Sequence, residues 1–119
     1  MIEIGNRRRS QPAPPHVVFE ALTQPDRDPA RPWLHLLEDE QRPRVLREQA
    51  PMSLAWSSLW LKHPDAVIEF DLPPSRDGGT DLRWRLLVDE PPPDDSQIGH
   101  LRKRLNQLIN ANLRATLGQ

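Results

Sequence analysis

Apolar and polar residues alternate most regularly in two segments of the second half of the chain, residues 66–72 and 80–89. A period of two is typical of a strand that buries one face, because successive side chains point to opposite sides. Asp77-Gly78-Gly79 stands between the segments and tolerates the positive φ angles of a tight turn. The pattern predicts a β-hairpin whose apolar side chains all have even numbers: Ala66, Ile68, Phe70, Leu72, Leu82, Trp84, Leu86 and Val88.

Weaker alternation predicts three earlier strands, at residues 1–9, 44–50 and 52–61. If each turn closes symmetrically, paired residues have numbers of the same parity, and side chains of one parity share a face. The even-numbered residues of the two strands before the hairpin then join its apolar face: Leu46, Glu48, Leu54, Trp56, Ser58 and Trp60. The prediction is an antiparallel sheet of about five strands whose apolar face needs a cover.

The cover is predicted at the C-terminus, where apolar residues recur at helical spacing after the prolines at 91–93. Asp94 or Asp95 is suited to cap the start of this helix, and Gly118 is suited to end it. A shorter helix is predicted at residues 14–22, whose prolines fall in a first turn, and a proline-rich loop follows it. The predicted fold class is therefore α+β, with the antiparallel sheet wrapped on a long C-terminal helix.

Composition limits the classes of function. The 119 residues suit one domain, and a formal net charge of −1 argues against a general nucleic-acid binder. The chain has no cysteine, which excludes disulfides, thiol nucleophiles and thiolate metal sites. No apolar run approaches the roughly 20 residues of a membrane span, and we expect a cytoplasmic protein. The four histidines lack metal-ligand spacing and no phosphate-binding or dinucleotide motif is present, so we expect neither a metal nor a cofactor.

Two basic runs, at residues 7–9 and 102–104, raise the question of a polyanionic partner. Acidic clusters at residues 38–40 and 94–95 offset them in the sequence. Such a run is usually the solvated end of a strand or the solvated face of a helix. The sequence therefore predicts no nucleic-acid partner, and it places Arg104 on the outer surface of its helix.

The order of these elements resembles the START-like (SRPBCC) helix-grip superfamily. The resemblance is carried by "PRVLREQAPMSLAWSSLW", "DAVIEFDLPP", "GGTDLRWRLL" and "HLRKRLNQLINANL". The pattern looks like the polyketide cyclase and heat-shock ATPase activator-homologue branches, and it implies one START-like domain over residues 1–119. Members of the superfamily usually keep a hydrophobic cavity between the curved sheet and the long helix, and many bind lipids, polyketides or hormones there. This chain is shorter, with about five strands where the family usually has seven.

The resemblance implies a small hydrophobic ligand, lipid-like or polyketide-like, held without catalysis between sheet and helix. The aromatic residues of the sheet face, one tryptophan of the preceding loop and the facing residues of the helix are the candidate ligand contacts: Trp33, Glu48, Trp56, Phe70, Trp84, Leu86, Leu105, Leu108 and Asn112. The same aromatic residues are equally suited to fill a core under the helix, because large rigid rings serve either purpose.

Two alternatives to a simple binder stay open at this level. Glu48 falls on the apolar face, where it is either a strand-edge glutamate that reaches water or a buried carboxylate that could act as the general base of a cyclase-type enzyme. A histidine is the other candidate for that base, and no residue is assigned as catalytic. The odd-numbered face carries Leu59, Leu61 and Leu87, which could instead form a homodimer or dock a protein partner.

Overall fold

The computed structural model describes residues 1–118, and over these residues five antiparallel strands form one sheet, as predicted. The elements follow in the order β1 (Ile2–Gln11), α1 (Pro15–Thr23), β2 (Val45–Gln49), β3 (Ser53–Trp56), β4 (Val67–Asp71), β5 (Thr80–Val88), α2 (Asp95–Leu105), a π-helical segment (Asn106–Leu113) and α3 (Arg114–Leu117). The backbone stays right-handed helical at Asn106 and Arg114, so the last three elements are continuous. Together they form the C-terminal helix.

The strands lie in the order β1-β5-β4-β3-β2, which leaves β1 and β2 as the two edges. Phe70 pairs with Trp84 across the predicted hairpin and with Leu54 on its other side. Paired residues point to the same side of a sheet, so the even-numbered residues of the three inner strands share one face. The predicted fold class and apolar face are therefore confirmed.

The apolar face packs against the C-terminal helix. One continuous hydrophobic core contains the inner-strand residues together with Leu101, Leu105, Leu108, Ile109 and Leu113 of the helix. The helix starts where Asp94 caps it, because the carboxylate of Asp94 accepts a hydrogen bond from the N–H of Gln97 at 2.8 Å. No helix within residues 1–118 is long and apolar enough to cross a membrane.

The predicted strand at 52–61 is too long, and this error changes the position of Leu59. Strand β3 ends at Trp56, after which the side chain of Ser58 accepts a hydrogen bond from the N–H of Trp60 and donates one to the carbonyl of His63. The chain therefore turns, and parity no longer assigns a face. Leu59 is fully buried in the core, whereas Leu61 is exposed, so the predicted patch of Leu59, Leu61 and Leu87 does not form.

Strand β2 lies beyond the reach of the helix. Glu48 pairs with Leu54 and so points to the apolar side of the sheet, but all five residues of β2 are exposed. An edge strand that no helix covers leaves even its inward-pointing side chains in water. Leu46, which parity assigns to the apolar face, is therefore not buried, and Glu48 is a strand-edge glutamate that reaches water, the first of its two interpretations.

Candidate functional site

Most of the candidate ligand contacts form a filled core. Trp56, Phe70, Trp84, Leu86, Leu105 and Leu108 each expose 1% or less of their surface. Trp56 and Phe70 meet edge to face, with ring centroids 4.8 Å apart and an angle of 72° between the planes. If a cavity large enough for water lay against these side chains, part of their surface would be accessible. Almost none of it is, so protein atoms fill the space between the sheet and the helix.

Trp33 connects this core to the surface. Its ring stacks on that of Trp56, with centroids 6.2 Å apart and planes 19° apart. Trp56 in turn donates its indole N–H to the carbonyl of Leu22 at 2.9 Å, which ties the core to α1. Trp33 is buried, and its own indole N–H has no hydrogen-bond acceptor among residues 1–118. Trp33 therefore seals the core on one side and reaches an open cleft on the other.

The cleft beside Trp33 has a volume of about 600 Å³, which falls in the range of small-molecule sites. Helix α1 forms one wall, residues 24–31 form a second, and the last turn of the C-terminal helix forms a third. Its apolar lining comes from Val17, Ala21, Pro25, Trp33 and Leu117, and its polar lining from Glu20, Gln24, Arg27, Asp28, Arg31 and Thr116. The cleft can therefore hold an apolar body against Trp33 while polar groups contact its rim.

Local sequence builds the walls of the cleft. Pro15 stands in the first turn of α1, where a missing N–H costs nothing, and the helix buries Val18 and Leu22 in the core. The adjacent side of α1 then faces the cleft through Val17 and Ala21. The loop that follows is held by short-range bonds, including one from the N–H of Ala30 to the carboxylate of Asp28. An ion pair between Glu20 and Arg27 links the loop back to α1.

Two predicted contacts lie apart from the aromatic cluster. Glu48 is exposed on β2 and does not line the cleft. Asn112 is half-buried in the π-helical segment, about one turn before Thr116 at the rim of the cleft. Of the nine predicted residues, Trp33 alone lines the cleft. The other walls were missed because the apolar stripe of α1 reads as one face in the sequence, although only Val18 and Leu22 of it are buried and Val17 and Ala21 line the cleft.

A buried ion pair between Glu40 and Arg104 holds the segment after Trp33 against the C-terminal helix. Arg104 donates from its Nε to Glu40 at 2.8 Å and from its terminal nitrogen to the second carboxylate oxygen at 2.6 Å. Glu40 also accepts from the indole N–H of Trp60 at 3.1 Å and from the N–H of Leu37 at 2.9 Å. Both charged side chains are buried. The carboxylate is thus saturated with donors, which is the condition for a buried charge to be tolerated.

Arg104 completes the connection with its remaining donors. It donates to the carbonyl of His35 at 3.0 Å and to the side chain of Gln107 at 2.8 Å. Burial would raise the pKa of Glu40, but its hydrogen bonds with Arg104 and Leu37 and the charge of Arg104 outweigh that effect and hold the pKa below its ordinary value. Hydrogen bonding with Glu40 raises the pKa of Arg104. The pair is ionised and joins residues 35–40 to the C-terminal helix.

The burial of Arg104 corrects the prediction that it lies on the solvated face of its helix. Arg104 follows Leu101 by three residues and precedes Leu108 by four, so it belongs to the apolar stripe by spacing. That spacing was the available signal, and the neighbouring charges at 102 and 103 obscured it.

Two histidines meet in a smaller hollow at the start of the C-terminal helix. His63 and His100 line a space of about 210 Å³ together with Trp60, Asp39 and Leu101 and several polar side chains. Within residues 1–118, no group of three or more histidine and acidic side chains has a geometry suited to a metal ion. Trp60, which lines the hollow, also donates to Glu40 of the buried ion pair, so the hollow lies beside that pair.

Comparisons with known proteins define the fold class. No protein-family model matches the chain, and no curated protein sequence matches it. The solution structure of the Aha1 dimer from Colwellia psychrerythraea is similar with a TM-score of 0.72 at 16% identity, covering 98% of this chain and 96% of that one. Protein MLL2253 from Mesorhizobium loti gives 0.68 at 22% identity, with 96% of each chain covered. CalU16 from Micromonospora echinospora gives 0.59 at 20% identity, covering 95% of this chain and 80% of that one.

At these identities the likeness shows the fold alone. A five-stranded antiparallel sheet packed on a long C-terminal helix, with these structural neighbours, is an α+β fold of the helix-grip type.

Proposed function

We propose that this protein binds a small apolar molecule in the cleft beside Trp33. The observation that carries the proposal is the cleft itself, whose volume of about 600 Å³ suits a molecule of a few hundred daltons. The helix-grip fold supports it, because the superfamily that the sequence resembles contains many binders of lipids and polyketides. A lipid-like or polyketide-like ligand, a cytoplasmic location and a place near the polyketide cyclase branch belong to the same proposal.

The proposed site lies outside the sheet–helix interface, because that interface is filled by the aromatic cluster. A ligand in the cleft would contact Val17, Ala21 and Leu117 together with the small part of Trp33, 3% of its surface, that is exposed.

Native mass spectrometry of freshly purified protein tests the proposal. We expect an added mass of a few hundred daltons that is lost on denaturation. Ala21→Trp places a large ring in the cleft and should abolish the added mass. Ala111→Trp places the same ring at an exposed position of the C-terminal helix that does not line the cleft, and it should retain the added mass.

Two results would contradict the proposal. A clean apo mass for the wild-type protein, confirmed by extraction with organic solvent, would leave no ligand to explain. An added mass that persists unchanged in Ala21→Trp would place the ligand elsewhere in the molecule.

Glu48 gives no support to the alternative of a cyclase-type enzyme. Glu48 is exposed on an edge strand and does not line the cleft, so it lacks the buried setting that the cyclase hypothesis requires. No observation in the described residues assigns another base to the site.

Self-association through the β2 edge is a second candidate function. Strand β2 is exposed along its whole length, and Val45, Leu46 and Met52 on or beside it expose 37–47% of their surface. An open edge with exposed apolar residues is a template for pairing with another chain. The similar Aha1 structure is itself a dimer. Sedimentation velocity should show a dimer that Leu46→Lys disrupts, and a monomer across micromolar concentrations would remove this candidate.

A further inference from the structure

The net charge is close to zero, but basic and acidic residues are concentrated in different segments of the chain. Residues 4–11 contain three arginines and no acidic residue, and residues 96–118 contain three arginines, one lysine and no acidic residue. The acidic residues that balance them all lie elsewhere in the sequence. Two acid-free basic segments at opposite ends of the chain would form one surface only if the fold brings them together.

The fold does bring them together, because β1 and the C-terminal helix lie side by side. A Cβ atom added at Gly5 would lie 2.8 Å from Cγ of Arg102, so the stem of Arg102 rests on the bare backbone of β1 at that point. Farther along, the Nε of Arg114 donates to the carbonyl of Ser10 at 3.1 Å. These contacts are separated by roughly 17 Å along the strand and roughly 18 Å along the helix. Strand and helix therefore run in the same direction over that length.

Two arginines of β1 lie between these contacts. Arg7 pairs with Trp84 and Arg9 with Leu82, so both leave the sheet on the side that faces the helix. Both are exposed, because β1 is an edge strand. Arg8 points to the opposite side and lies 3.6 Å from Asp81. The side that faces the helix thus carries a row of Arg102, Arg7, Arg9 and Arg114, which we call the basic seam.

The basic seam borders an open strand edge. Strand β1 has a neighbour on one side only, and apart from the carbonyl of Ser10, which accepts from Arg114, the backbone N–H and C=O groups of alternate residues on its free side are outside the sheet ladder. The arginines would repel a basic strand, and they would repel the β1 edge of a second copy of this protein. They attract a strand whose acidic side chains point to the same side as Arg7 and Arg9, which are two residues apart.

We propose that the basic seam binds an extended acidic segment of a partner polypeptide, which adds to the free edge of β1 and pairs alternate carboxylates with Arg7 and Arg9. Arginine is suited to this role because its planar guanidinium binds carboxylates through two parallel hydrogen bonds. Strand addition is an established mode of peptide recognition in which the backbone gives affinity and alternate side chains give specificity.

A single-stranded nucleic acid fits the seam less well. Such ligands stack their bases on exposed aromatic rings, whereas all four tryptophans and Phe70 are buried in this protein and the remaining ring, that of Phe19, is half-buried against the core. The choice of an acidic polypeptide therefore rests on the free strand edge together with the burial of the rings that a base would stack on.

The test uses a ten-residue peptide of alternating threonine and glutamate, added to the full-length protein at low salt. A control peptide has the same composition, with its glutamates in one block. Binding is measured by calorimetry, and the contacted residues are identified from amide shifts in NMR spectra. The variant Arg7→Ala/Arg9→Ala is compared with Arg44→Ala/Arg76→Ala, which removes the same charge from exposed positions away from the seam.

We expect the alternating peptide to shift the β1 amides and to bind the Arg7→Ala/Arg9→Ala variant at least about tenfold more weakly, with the matched control unaffected. Equal binding of the blocked peptide, or equal loss in both variants, would overturn the proposal in favour of general charge attraction. Tighter binding of a duplex oligonucleotide or of anionic vesicles would assign the seam to another polyanion. No binding of the alternating peptide would also overturn it.

Discussion

Glu40 and Arg104 are two charged residues whose positions in the fold could not be inferred from their neighbours in the sequence. Each lies in a run of charged residues, yet both side chains are buried and joined by two hydrogen bonds. Removing one member of such a pair leaves the other charge without compensation in the interior. The pair also holds residues 35–40, which follow Trp33, against the C-terminal helix. Its loss should therefore affect both stability and the cleft.

Glu40→Gln should lower the free energy of unfolding by about 3 kcal/mol, because the guanidinium of Arg104 stays buried without its counter-charge. Chemical denaturation followed by tryptophan fluorescence measures the change. Glu38→Gln, at an exposed position two residues earlier, should change stability by less than about 0.5 kcal/mol. Similar losses in both variants would mean that the buried pair contributes no more than a surface charge.

The same pair predicts a dependence of stability on pH. The pKa of Glu40 is held below its ordinary value of 4.5 in the folded state, so the unfolded chain takes up a proton first as the pH falls. The stabilisation is therefore fully present above about pH 4.5 and is lost as the pH falls through the folded-state pKa. Below pH 4.5, wild-type stability should fall more steeply than that of Glu40→Gln. Parallel curves for the two proteins would show that Glu40 makes no such contribution.

At the scale of elements, the C-terminal helix organises the molecule. Its first part is α-helical and its second part, residues 106–113, is π-helical. The buried side chain of Gln11 donates to the carbonyl of Ile109 within the π-helical segment at 3.2 Å. One side of the helix covers the sheet. Arg104 binds Glu40 of the preceding loop, and Arg102 and Arg114 contact β1. The helix thus contributes to the core, the cleft and the basic seam.

Asp94→Ala should lower the free energy of unfolding by about 1 kcal/mol, because it removes the acceptor that caps the N–H of Gln97 at the start of this helix. Asp95→Ala removes the same charge from the next residue, which lies within the first turn and does not act as the cap. Thermal denaturation should therefore show a clearly larger loss for Asp94→Ala. Equal losses would indicate that charge near the helix start matters and the capping hydrogen bond does not.

At the scale of the whole molecule, the sheet and helix enclose a filled core, and the open space lies beside it. A chain of 119 residues has a limited core, and a wide internal cavity would cost part of its stability. Packing Trp33 on Trp56 separates the core from the cleft. The proposed site is therefore a surface cleft beside the filled core, with Trp33 between the two.

Leu105→Ala tests whether the core is filled. Leu105 is fully buried, so its truncation should lower the free energy of unfolding by about 3 kcal/mol and leave a cavity. Benzene should raise the thermal stability of Leu105→Ala, because a dry apolar cavity can take it up, and should leave the wild-type protein nearly unchanged. Comparable stabilisation of the wild-type protein would show that space for an apolar molecule already exists in the core.

The sequence by itself determined the features that depend on local periodicity. Alternation at 66–72 and 80–89, with Asp77-Gly78-Gly79 between them, was enough to predict the hairpin and the side that Phe70 and Trp84 share. The spacing of leucines after Asp94 was enough to predict the C-terminal helix. Because a strand or a helix repeats at short range, its buried face can be inferred without knowing what it packs against.

Only the tertiary structure decided which predicted faces are covered and where distant segments meet. Glu48 points to the apolar side and is exposed, because the helix does not extend over β2. Arg104 is buried because Glu40, 64 residues away, reaches it. The cleft and the basic seam each combine residues from opposite ends of the chain. Such surfaces depend on long-range contacts, and the residues that build them carry no periodic signal that joins them in the sequence.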